Sequence, residues 1–217
     1  MVQIGSLLQK EFKSDFRNPY AFVGAVLFLV SSLFVCYITI KRIQVVSTWV
    51  ALYWIVVLFT SFNAVAKSFV NETRGRLLYF YTLHSPTNFV ISKMVYNALL
   101  MITLSGIAQI IYGVFFDLVV QNPTMLWVGI VLGSTGISFI LSTLSSIAAR
   151  AGSNMTLLAI LGLPILLPIM LVATRFTKNA IDGIDWSIQW KYLFVLIGLN
   201  VVCFLLSVIL FPYLWKE

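Results

Sequence analysis

Six stretches of about twenty residues, almost free of charge, constrain this chain more than any other feature. They run over Tyr20–Ile40, Val46–Ala66, Lys93–Phe116, Met125–Ile147, Met155–Thr174 and Tyr192–Leu214, and Lys93 is the one charged residue among them. An apolar helix of that length covers the hydrocarbon thickness of a bilayer, about 30 Å. A water-soluble core could not bury so much apolar surface: the chain is 60% hydrophobic and 10% charged, where soluble domains carry about 25% charge. The predicted fold is therefore all-α, a polytopic membrane protein of six transmembrane helices forming a single domain over residues 1–217.

The segments between the stretches separate function from scaffold. Residues 1–18 place Ile4, Leu7, Leu8, Phe12 and Phe16 three or four apart, with Lys10, Lys13, Ser14 and Arg17 between them. That spacing predicts an amphipathic helix too polar to span and suited to the membrane interface, with Asn18-Pro19 turning the chain inward. The charged residues that precede the first apolar stretch are not followed by a small-residue cleavage site, so this segment is expected to be retained. An even number of spans puts both termini on one side. Nine Lys and Arg fall on that side and five opposite, which predicts cytoplasmic termini. The net charge of +7 is scattered between apolar stretches, so its expected partner is anionic lipid and not nucleic acid.

Two connectors are long. The external one, residues 175–191, holds Trp186 and Trp190 and is expected at the periplasmic interface. The cytoplasmic one, residues 67–92, reads KSFVNETRGRLLYFYTLHSPTNFVIS. In it Glu72 and Arg76 stand four apart, the spacing of a helical ion pair, and Leu77, Leu78, Phe80, Tyr81 and Leu83 add an apolar surface before Ser85-Pro86. Two readings of this short amphipathic element stay open: a connector lying on lipid, or a docking element for a cytoplasmic partner.

Two spans carry further signals. Gly129 and Gly133 form G-x-x-x-G, which lets helices approach closely, within one subunit more readily than across a dimer. Pro164 and Pro168, four apart in the fifth span, each remove a backbone hydrogen bond, so a kink or break is expected there and with it a segment that moves.

Several chemistries are excluded. The chain has no G-x-x-x-x-G-K-[ST] with which to bind ATP, and its single histidine, His84, cannot make a two-histidine metal or haem site. No acidic residue lies mid-span, which counts against a stand-alone secondary carrier or channel. Catalysis by this chain is not expected. Asn71-Glu72-Thr73 and Asn154-Met155-Thr156 match the glycosylation sequon by chance, since both fall on the cytoplasmic side.

The basic cluster that ends the N-terminal segment, the connector's acidic-x-x-G-x-L pattern (Glu72, Gly75, Leu77) and the late turn Arg150-Ala151-Gly152 leading to Leu163-Pro164 and Pro168 together resemble the haem exporter protein B family. The likeness runs along the whole chain. The connector pattern is shared by many exporter permeases, and the doubled-proline span after that turn is what narrows it to the membrane subunit of the bacterial cytochrome c maturation transporter. The resemblance implies an ABC-type permease of the inner membrane with no bound cofactor. Its partners would be a separate cytoplasmic ATP-binding subunit in two copies, a haem-handling membrane subunit and a small single-span subunit, with this chain as a homodimer. ATP would then be bound by the partner, and haem would be the substrate of the complex.

In such permeases the connector carries a coupling helix that docks on the ATPase. Glu72, Gly75, Leu77 and Leu78 map onto it, with Arg74 and Arg76 beside them. Relatives often place a second acid where this chain has Leu78; Arg74 and Arg76 are expected to supply a contact of opposite sign. The implied function is conversion of ATP hydrolysis into haem export or into release of a haem-loaded periplasmic chaperone. The residues favour release, because no paired haem ligands are evident. A structural assembly subunit is the remaining alternative.

Overall fold

The computed structural model describes residues 2–17, 19–40, 45–65, 86–116, 119–150 and 155–216. Among them the only regular elements are helices: α1 (Val2–Arg17), α2 (Tyr20–Ile40), α3 (Val46–Ala64), α4 (Pro86–Phe115), α5 (Pro123–Arg150), α6 (Met155–Asp182) and α7 (Trp186–Lys216). Helices α2 to α7 are each long and apolar enough to cross a membrane. Only helices satisfy every backbone group internally in hydrocarbon, so the apolar stretches have no other regular form to take.

Helix α5 lies at the centre, packed on α3, α4, α6 and α7. Its most apolar window is 61% buried, against 17% for α2 and for α7; those two therefore leave most of their surface outside the bundle. The reason is side-chain size. Membrane helices associate through close packing, not through exclusion of water, and α5 carries the small residues. A Cβ on Gly129 would lie 2.7 Å from Phe176 Cδ1, one on Gly136 would lie 2.7 Å from Ile169 Cδ1, and one on Gly133 would overlap the Trp54 ring. The glycines thus seat α6 and α3 of the same chain. Polar bonds add to this packing: Asn97 Nδ2 donates to Ser142 Oγ at 2.8 Å, Thr143 Oγ1 to Ser207 Oγ at 2.8 Å, and Asn200 Nδ2 to the Leu132 carbonyl at 3.0 Å. These tie α4 and α7 to α5.

Two expected boundaries move. The connector expected over residues 175–191 contracts to 183–185, because α6 runs to Asp182 and α7 starts at Trp186. Phe176, Thr177, Ala180 and Ile181 are buried while Arg175 and Lys178 face outward, so the charges occupy one face without ending the helix. The end comes at Gly183, whose φ of +78° suits glycine, with Ile184 N–H bonded back to the Asn179 carbonyl at 3.0 Å. At the other long connector, residues 86–92 belong to α4. Proline is welcome in a first helical turn, where its missing N–H has no helical partner to lose.

Of the kink or break expected at Pro164 and Pro168, the break is absent: α6 is helical through both. Both prolines face outward, while Gly162, Leu166 and Ile169 face the bundle. With a spacing of four, the carbonyl deprived of its donor by Pro168 is that of Pro164 itself, so the lost bonds fall along one side of the helix.

Candidate functional site

The connector residues Glu72, Arg74, Gly75, Arg76, Leu77 and Leu78 lie outside the described residues. What the structure describes is the part of the bundle they join. The chain leaves α3 at Val65, whose N–H caps the helix on the Ser61 carbonyl at 2.8 Å, and re-enters at the first turn of α4.

Helix α1 is docked on α4 about two to three turns beyond its start. Its amphipathic spacing predicts a helix lying on lipid, but α1 is set on the bundle itself. Leu7 is buried, Phe12 meets Tyr96 edge to face at 5.1 Å between centroids, and Glu11 Oε2 lies 3.6 Å from Lys93 Nζ. The Lys93 side chain is 3% exposed and that of Glu11 13%. A buried ammonium needs an opposite charge nearby, and here the partner comes from α1. Lys10 adds a second contact to the same carboxylate group at 3.4 Å, and the Lys93 ammonium lies 5.6 Å from the Phe89 ring centroid. Just beneath, Phe89, Val90 and Met94 of α4 pack with Phe211 of α7 in a small core of their own. Arrival of the connector, docking of α1 and anchoring of α7 therefore coincide at one end of the bundle.

Sequence reasoning passed over Glu11 and Lys93. The available signal was an acid, Glu11, between Lys10 and Lys13 of a basic helix, and a single charge inside an apolar stretch, two oddities that explain one another once paired.

The opposite end is built from aromatic rings. Trp49 and Tyr112 lie 4.6 Å apart, Tyr112 and Phe116 4.6 Å, and Tyr53 and Trp54 5.5 Å. Their polar atoms bond across helices: Tyr53 OH to the Ser105 carbonyl at 3.0 Å, Tyr112 OH to the Trp49 carbonyl at 2.9 Å, and Trp54 Nε1 to Thr177 Oγ1 at 3.0 Å. The layer joins α3, α4 and α6 into a rigid plug. Trp186 and Trp190 stand at the start of α7, half exposed and 6.5 Å apart.

Among the described residues no group of three or more His, Cys, Asp or Glu could hold a metal. What the described residues bring together is a charged, partly buried junction where α1 meets α4, and an aromatic layer at the far end.

The family model described as CcmB protein matches residues 2–213. The chain belongs to the CcmB family. Membership makes it a multi-pass membrane permease subunit, the membrane component of a haem-export ABC transporter for cytochrome c maturation, working with an ATP-binding subunit. No curated protein and no solved structure matches it.

Proposed function

We propose that the chain converts nucleotide-driven movement of its ATP-binding subunit into release of a haem-loaded carrier on the opposite face of the inner membrane. In this reading the connector end faces the cytoplasm, in keeping with the nine-to-five distribution of Lys and Arg. The ATP-binding subunit docks on residues 72–83, with Arg74 and Arg76 supplying the charged contact that Leu78 does not. The subunit itself binds no cofactor and does no covalent chemistry. Haem is the substrate of the complex and ATP is bound by the partner.

The observation that carries this reading is the Glu11–Lys93 junction. Helix α4 is the first element the connector enters, and α1 is clamped to it about two to three turns on. A push on the connector is thereby shared between α4 and α1 before it reaches α5.

The direct test replaces Gly75 or Leu77 with glutamate. Reduced co-purification of the ATP-binding subunit, with unchanged membrane insertion, is expected; undiminished co-purification would refute the docking. The junction has its own test. Exposed ion pairs contribute under about 1 kcal/mol and breaking buried ones costs about 3–5 kcal/mol. At 3.6 Å and partly exposed, this pair falls between them, near 2 kcal/mol. Glu11→Lys is expected to lower ATP turnover of the assembled complex while the ATP-binding subunit still binds, and Glu11→Lys with Lys93→Glu to restore much of it. A double variant no better than the worse single one would show that the pair transmits nothing.

A further inference from the structure

At the far end, where α3 and α6 pack together, a cavity of about 270 Å³ opens between Ser47, Val50 and Ala51 of α3 and Thr174, Arg175 and Lys178 of α6. Arg175 and Lys178 stand three residues apart on the outward face of α6, and three residues is close to one turn. Among the described residues neither has an ion-pair partner; Asp182, one turn beyond Lys178, makes none with it. The Ser47 hydroxyl at the mouth has no hydrogen-bond partner among them either. Inward of the cavity both helices present exposed apolar side chains at helical spacing. Ile55 and Phe59 follow Ala51 at four-residue steps along α3, Leu171 and Leu167 precede Arg175 at four-residue steps along α6, and all four are about half exposed.

Two unpaired cations and a free hydroxyl at the membrane edge, with an outward apolar lane behind them, have the shape and charge of a binding site for an anionic amphiphile. The volume takes a phosphate with its glycerol and is too small for a tetrapyrrole ring. We propose that this groove holds an anionic phospholipid, its phosphate on Arg175, Lys178 and Ser47 and an acyl chain along the Ile55–Leu171 lane. Because α3 and α6 both supply the site, such a lipid would bridge the two helices at their outer ends.

The test uses the full chain in nanodiscs of phosphatidylcholine containing a minor fraction of phosphatidylglycerol, with retained lipid counted by native mass spectrometry. Retention of phosphatidylglycerol in preference to phosphatidylcholine is expected. R175Q/K178Q should reduce it about thirtyfold, the effect of two cations near a membrane surface, and K178Q alone about fivefold. K191Q, which removes an exposed charge outside the groove, should leave it unchanged. I55S/L171S should weaken retention, and inorganic phosphate should not displace the lipid. Equal retention of the two lipids would overturn the proposal, as would an unaffected R175Q/K178Q that elutes as a single species. Displacement by inorganic phosphate with I55S/L171S unaffected would assign the site to a free anion, and displacement by haem would assign it to the cargo; either result also overturns it.

Discussion

Gly133→Leu is expected to yield no monodisperse protein after detergent extraction, while Gly198→Leu, equally deep in a spanning helix, is expected to behave as the parent. A side chain at 133 enters the space of the Trp54 indole, whereas nothing lies within 4 Å of a Cβ at 198. Trp54 has no room to retreat. It is fully buried, its Nε1 is bonded to Thr177 Oγ1 at 3.0 Å, and its ring meets Tyr53 at 82°. Overpacking costs about 1–3 kcal/mol where neighbours can yield, and a leucine against an immobile indole exceeds that range. Gly133→Ala should fall within it. Gly133→Ala should cost less in a Trp54→Leu background than in the parent, the signature of two residues that share one volume. Thermal unfolding followed by size-exclusion fluorescence measures each variant, Trp54→Leu alone included. A Gly133→Leu protein as stable as the parent would show that α3 is not seated on α5 as described.

Tyr112→Ala is the second large effect, at about 3–5 kcal/mol. The ring fills the space between Trp49, Phe116 and Tyr53 at centroid distances of 4.6, 4.6 and 5.9 Å, so its removal opens a cavity in the aromatic layer. Tyr112→Phe should cost only about 0.6–1 kcal/mol, because it removes a single hydrogen bond, from Tyr112 OH to the Trp49 carbonyl, and that carbonyl still lies in a helical ladder. The ratio of the two losses is the informative quantity. Similar losses would mean that the hydroxyl, not the ring, holds α4 to α3.

The six spans and the amphipathic first helix were legible because each depends on a local property, average hydropathy or spacing along one helix. What could not be read depended on a partner elsewhere in the chain. Lys93 marks a span boundary when averaged with its neighbours, yet it lies inside α4 because Glu11, 82 residues earlier, neutralises it. Arg175 and Lys178 suggest a loop by composition, but period 3.6 places them on one face of a helix whose other face carries Phe176, Ala180 and Ile181. Pro164 and Pro168 suggest a break, but a membrane helix already held by its packing through Gly162, Leu166 and Ile169 tolerates the lost bonds. The connector pattern around Gly75 rests on resemblance alone, because those residues lie outside the described ones.

The turn that closes α6 has a wider consequence. Gln121 N–H reaches the Ile181 carbonyl at 3.4 Å and Asn122 N–H the Ala180 carbonyl at 3.0 Å, while Gly183 leaves only 3.0 Å between its Cβ position and Gln121 Cβ. Backbone is thus stitched to backbone where α5 begins and α6 finishes. Those two ends cannot part without breaking main-chain bonds, so under the proposed coupling a thrust from the opposite side would leave this seam closed as a fulcrum and displace most the ends at residues 150 and 155, far from it.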